Sequence, residues 1–96
     1  MNVKELIEQN KGTIVDVRTL GEFQGGHVAG SKNIPLNEVP TRVEEFRSME
    51  APIILCCASG NRSGQATGYL SAQGIECVNG GSWLDVNYYQ SQCLSN

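Results

Sequence analysis

Apolar positions in this chain fall in short blocks whose period switches from helical to extended and back. Val3, Leu6 and Ile7 lie at helical spacing within residues 2–10, and Gly12 ends that segment. Thr13-Ile14-Val15-Asp16-Val17 is short and β-branched, the composition of a strand. From Arg18 to Gly30 the polarity is mixed and Gly21, Gly25, Gly26 and Gly30 punctuate it, so this stretch reads as a loop. Lys32 to Ile34 is a brief strand cut off by Pro35. Residues 40–49 suit a helix with Val43, Phe46 and Met49 turned inward, and residues 52–56 form a short apolar run that reads as a buried strand. A helix over residues 63–73 stops at Gly74. Ile75 to Val78 is a last short strand, halted by Asn79-Gly80-Gly81, and Ser82 stands where it can N-cap a final helix carrying Trp83, Leu84 and Tyr88.

Strands alternate with helices throughout, which predicts an α/β fold: a parallel sheet with helices on both faces. The chain has 96 residues, the size of one domain, so residues 1–96 are expected to share one core. No internal repeat, low-complexity tract or apolar stretch of membrane-spanning length interrupts the pattern. A net charge of −3 gives no general attraction for polyanions, and no run of Lys and Arg interleaves with aromatics, so neither nucleic acid nor membrane is an expected partner. Arg62 is the only basic residue after Arg47, so it belongs to no basic patch.

Cys56, Cys57, Cys77 and Cys93 form neither a C-x-x-C pair nor the density of a disulfide scaffold. Residues 1–20 show no charged segment followed by an apolar one, and the expectation is a reduced, cytoplasmic protein with no metal and no cofactor. Cys56 and Cys77 read as small buried hydrophobes, and Cys93 as incidental.

The candidate chemistry lies in Cys56-Cys57-Ala58-Ser59-Gly60-Asn61-Arg62-Ser63. A thiol stands where a strand ends, a glycine-containing turn follows, and a helix begins. Backbone N–H groups converging in such a turn, with the positive helix N-terminus behind them, favour anions and lower the pKa of a thiol at their focus. Open parallel sheets bind ligands beyond the carboxyl ends of their strands, which is where Cys57 falls.

At this point the chain resembles the rhodanese-like sulfurtransferases in three blocks. The first runs through Asp16-Val17-Arg18, Glu22-Phe23, Gly26-His27-Val28-Ala29-Gly30-Ser31 and Asn33-Ile34-Pro35. The second is Cys57 to Arg62 with Ser63-Gly64-Gln65-Ala66, and the third is Gly80-Gly81 followed by Trp83. The resemblance implies a rhodanese-like α/β fold with a central parallel sheet of four or five strands. The number is left at four or five because the chain begins nearly at the first helix, where the family usually has an opening strand.

Two cysteines compete for the nucleophile's role. Counted from Cys56, Arg62 completes a C-x5-R spacing, the loop length of cysteine-dependent phosphatases; counted from Cys57, the loop is one residue shorter. The shorter loop, with Gly60 third after the cysteine, matches the sulfurtransferases, and Cys56 continues the buried strand. A phosphatase pattern would usually carry a histidine where Leu55 stands, and no Trp-Pro-Asp acid loop is present.

The resemblance thus implies a sulfurtransferase with Cys57 as nucleophile and Ala58, Ser59, Gly60, Asn61 and Arg62 as the substrate-binding loop. Its partners would be a small donor such as thiosulfate or a persulfide, and an acceptor thiol, protein cysteine or, in an assay, cyanide. Arg62 has two readings: it holds the oxyanion part of the donor, or it pairs with a carboxylate and braces the loop. Ser59 either gives its hydroxyl to the bound sulfur or only favours the turn, and Gly60 permits a backbone conformation closed to other residues. Ser63 and Gly64 begin the helix and need no chemical role. Asp16 and Arg18 read as a structural ion pair, and Glu22 and His27 as ties for the glycine-rich loop. A phosphatase-like enzyme and a non-catalytic binding or sulfur-carrier module stand as alternatives.

Overall fold

The computed structural model describes residues 2–94, with side chains through Gln92. Four parallel strands form its sheet: β1 (Thr13–Asp16), β2 (Lys32–Asn33), β3 (Ile53–Cys57) and β4 (Cys77–Ser82), in the order β2-β1-β3-β4. The helices are α1 (Val3–Glu8), α2 (Leu20–Gln24), α3 (Val43–Arg47), α4 (Asn61–Ala72) and α5 (Trp83–Leu94), with a 3-10 helix at Leu36–Thr41. The strand count falls within the expected four or five. None of these helices is long and apolar enough to cross a membrane.

The central strand β3 is buried at every residue, as its continuous apolar composition requires. Because successive side chains on a strand point to opposite faces, β3 divides its residues between two cores. Ile53, Leu55 and Cys57 pack with Val15, Val17, Val39, Phe46, Ala66 and Leu70, the layer of α3 and α4. Ile54 and Cys56 pack with Leu6, Ile7, Val28 and Val86, the layer of α1 and α5. The adjacent cysteines therefore belong to opposite sides of the sheet.

Three elements differ from the sequence expectation. The stretch 18–30 is not all loop: Thr19 accepts from the Glu22 amide and Glu22 returns a bond to the Thr19 amide, a capping box that starts α2. The helix expected over 40–49 is split, with Pro40 inside the 3-10 turn and α3 beginning only at Val43. The last strand does not stop at Asn79. It runs on through the glycine pair to Ser82, with Leu55 opposite Asn79 and Cys56 opposite Gly81, so Gly80 is the extra residue of a bulge. A Cβ on Gly80 would lie 3.0 Å from both Ile54 Cγ2 and Leu55 O, which explains why glycine occupies the bulge.

Ser82 does cap the last helix: its hydroxyl accepts from the Leu84 amide at 3.1 Å. Trp83, Val86 and Tyr89 turn inward, whereas Leu84 and Tyr88 are exposed. Cys93, expected to be incidental, has a side chain outside the described residues.

Candidate active site

Cys57 closes β3, and the next three residues cross to the first turn of α4. Gly60 is the N-cap of α4 with φ +97°, a left-handed conformation that a Cβ would strain. A side chain there would also approach Gly81 Cα at 3.3 Å, so the loop lies against the β4 bulge. This is the constraint expected of Gly60.

The turn aims donors at one sulfur. The Gly60 amide donates to Cys57 Sγ at 3.0 Å and the Ser63 amide at 3.4 Å. The Ser63 hydroxyl lies 3.3 Å from the same sulfur. Burial pushes the Cys57 thiol up, but the Ser63 hydroxyl and the amides of Ser63, Ser59 and Gly60 outweigh it, and the net displacement is below the ordinary thiol value. The α4 N-terminus adds its partial positive charge in the same direction.

Ser63, expected from the sequence only to begin the helix with no chemical role, instead meets the sulfur with both its amide and its hydroxyl. It is fully buried, and its hydroxyl donates to Asn79 Oδ1 at 2.7 Å. A hydroxyl carries one proton. With Cys57 protonated, the thiol therefore donates to Ser63; with Cys57 ionised, the Ser63 proton has the sulfur as a second acceptor. Asn79 is oriented by its other contacts, because Oδ1 accepts from the Gly81 amide at 2.9 Å and Nδ2 donates to Gly60 O at 3.1 Å. Asn79 thus joins the β4 bulge to the loop.

Cys56 contrasts with its neighbour. Its thiol is pushed up to about 12, chiefly by burial and further by the nearby Asp16 charge. It is a protonated core residue, as its place in the α1 and α5 layer requires.

The remaining loop residues differ in what they offer. Ser59 reaches the sulfur through its main chain, while Ala58, Ser59 and Asn61 are exposed on the rim. Arg62 turns to α2, where its two terminal nitrogens donate to the two carboxylate oxygens of Glu22 at 2.8 and 3.0 Å. The carboxylate pairing, one of its two expected roles, is present. The bidentate pair holds the Glu22 carboxyl down at about 2, with the Arg62 hydrogen bond as the main cause.

Beneath this pair lies a second one. Arg18 Nη2 donates to Asp16 Oδ2 and to Gly26 O, each at 2.7 Å, and Nη1 reaches Glu22 O at 3.3 Å. Asp16 is fully buried and Arg18 nearly so, and the guanidinium lies over the Trp83 ring at 4.6 Å. The expected structural ion pair is thus realised, and it also ties α2 to the sheet. His27 Nδ1 meets Phe23 O at 2.7 Å and its ring stacks on Phe23, another local tie.

Fold and site together define a parallel α/β domain carrying an amide-cradled cysteine at a strand's carboxyl end. The Rhodanese-like domain family profile matches residues 2–85, and the chain belongs to that family. An uncharacterized protein of Bacillus subtilis, YqhL, is 41% identical over 64 residues, covering 67% of this chain and 50% of that protein. The thiosulfate sulfurtransferase GlpE of Pseudomonas putida (strain GB-1) is 31% identical over 74 residues, covering 77% of this chain and 66% of its own. The chain therefore spans half to just under two thirds of these relatives. Among solved structures, a rhodanese-related protein of Thermoplasma volcanium superposes with a TM-score of 0.76 at 31% identity, covering 92% of this chain and 88% of that one.

Proposed function

We propose that the chain is a sulfurtransferase that moves a sulfane sulfur from a donor such as thiosulfate to a thiophilic acceptor through a persulfide on Cys57. The observation that carries this reading is the convergence of the Gly60 amide, the Ser63 amide and the Ser63 hydroxyl on Cys57 Sγ. Similarity to a thiosulfate sulfurtransferase supports the choice of chemistry.

In the first step the Cys57 thiolate attacks the outer sulfur of thiosulfate. An S–S bond forms on Cys57, the bond from that sulfur to the sulfonate breaks, and sulfite departs with the electron pair. In the second step an acceptor thiolate, or cyanide, takes the outer sulfur and Cys57 thiolate is released. No general base is required, because the attacking group is already ionised. Donors fixed before reaction stabilise negative charge on sulfur without reorganising. Ala58, Ser59, Gly60, Asn61 and Arg62 form the binding loop in this reading, with Arg62 holding the donor's sulfonate. Cys57 has no exposed surface beneath the exposed rim at Ala58 and Ser59, so transfer in this reading requires that rim to give the donor access to the sulfur.

The shorter loop counted from Cys57 is favoured over the phosphatase spacing, because Cys56 packs in the opposite layer and stays protonated. The test is to incubate the protein with thiosulfate and weigh it. A mass gain of one sulfur atom, lost in Cys57→Ser and kept in Cys56→Ser, is expected. Hydrolysis of an aryl phosphate with no sulfur uptake would overturn the reading.

A further inference from the structure

Among the described residues, both arginines near the carboxyl ends of β1 and β3, Arg18 and Arg62, already have a carboxylate partner. Arg18 is buried on Asp16, and both terminal nitrogens of Arg62 rest on Glu22. Arg62 is also the only basic residue in the chain after Arg47, so the loop brings no second cation. With Cys57 ionised, Asp16, Glu22 and Cys57 together outnumber Arg18 and Arg62 by one negative charge. A small dianion meets no free fork here and must first take Arg62 from Glu22.

Glu22 is placed for such an exchange. It lies on the short exposed helix α2, and its side chain and that of Arg62 are 38% and 33% exposed. Water can therefore receive the carboxylate when it leaves. Its backbone does not move with it, because Arg18 holds Glu22 O and the Thr19 hydroxyl still accepts from the Glu22 amide. The competition is between two anions for one guanidinium, with the scaffold unchanged.

We propose that Glu22 is the specificity-determining residue of this site: by occupying Arg62 it disfavours small dianionic sulfur donors relative to persulfides carried on uncharged thiols. This rests on the sulfurtransferase reading and names its donor class. A persulfide R–S–SH needs no sulfonate site. Cys57 thiolate bonds to its outer sulfur, the S–S bond breaks, and the carrier leaves as R–S⁻, with atoms and charge conserved. Arg62 and Glu22 stay paired throughout.

The decisive variant is Glu22→Gln, because Gln also serves at the third position of a capping box and the helix start is kept. The first measurement needs no turnover: protection of Cys57 from iodoacetamide by sulfate, at constant ionic strength. The half-protecting sulfate concentration is expected to fall about two- to fivefold in Glu22→Gln, the scale of releasing one surface guanidinium from its carboxylate. In an Arg62→Gln background the same change should move it by less than about twofold, because the two residues act as one pair. The second measurement is the ratio of kcat/KM for thiosulfate to that for the persulfide of a small uncharged thiol. This ratio should rise by a similar factor in Glu22→Gln, through the thiosulfate KM. An unchanged sulfate midpoint in Glu22→Gln, or an equal gain without Arg62, would overturn the proposal. Absence of sulfur uptake from both donors by the unsubstituted protein would instead sink the transferase reading, while the sulfate comparison still decides the role of Glu22.

Discussion

Ser63 places its amide 3.4 Å and its hydroxyl 3.3 Å from the sulfur of Cys57, six residues back across the turn. The first turn of α4 thus brings to one atom a main-chain donor and a hydroxyl whose proton is shared with Asn79. Removing the hydroxyl in Ser63→Ala leaves the amides and the fold in place and raises the Cys57 thiol. Alkylation of Cys57 by iodoacetamide at neutral pH should slow by roughly three- to tenfold, the net value of one ordinary hydrogen bond. An unchanged rate would show that the hydroxyl serves Asn79 alone.

Cys56 makes the stability pH-dependent on the alkaline side. Its thiol is pushed up to about 12 in the folded chain and ionises near 8.5 once unfolded. Above the unfolded value the unfolded chain has lost this proton while the folded one keeps it. Stability is then lost as pH rises, by about 1.4 kcal/mol per unit for one group. Cys57, displaced downward, works in the other sense: its contribution grows above its folded value and is complete once pH passes the ordinary thiol value. Thermal midpoints of Cys56→Ser should therefore fall less steeply between about pH 9 and 11 than those of the unsubstituted protein. Parallel slopes would contradict the burial of an ionisable thiol there.

Gly80 is required by space rather than by backbone conformation. A Cβ would sit 3.0 Å from Ile54 Cγ2 and Leu55 O and 3.1 Å from Val86 Cγ2, and Leu55 O belongs to the central strand and cannot swing aside. Gly80→Ala should cost about 1–3 kcal/mol of overpacking, read as a lower urea midpoint. Because the bulge also sets Gly81 against Gly60, Cys57 alkylation in the folded variant should change as well.

The Asp16–Arg18 pair is buried, and deleting one member strands the other. Asp16→Ala is expected to lose about 3–5 kcal/mol, more than Ala substitution at the exposed Lys4–Glu8 pair, whose partners are 59% and 45% exposed. Equal losses at the two pairs would show that Arg18 is satisfied by Gly26 O and Glu22 O without the carboxylate.

The sequence made some of this legible, and the reason differs by residue. The apolar run at 52–56 leaves only one element for Cys56 and Cys57, and strand alternation then separates them. Gly60 stands out because the loop is short and its geometry demands a left-handed residue. Ser63, Asn79 and Glu22 were not legible as partners of Cys57, Gly60 and Arg62. They come from three separate elements, α4, β4 and α2, that only the sheet order and the bulge bring together. The Asn79-Gly80-Gly81 triplet reads as a strand's end by composition, yet Gly80 lets pairing continue where any side chain would collide with Ile54 and Leu55, and Gly81 takes a left-handed φ of +79°. The Thr19-Leu20-Gly21-Glu22 capping box was present as a local signal for α2, hidden among glycines. What those glycines concealed is a helix whose acid reaches Arg62, 40 residues away.

Sulfur transfer at this site requires that Cys57 be held as a thiolate. The direct measurement is a carbon-13 NMR titration of the cysteine Cβ resonances, assigned with Cys57→Ser and Cys56→Ser. The Cys57 resonance should titrate with a midpoint below the roughly 8.5 of a free thiol, while the Cys56 resonance stays protonated through that range. A Cys57 midpoint at or above the free-thiol value would contradict the account.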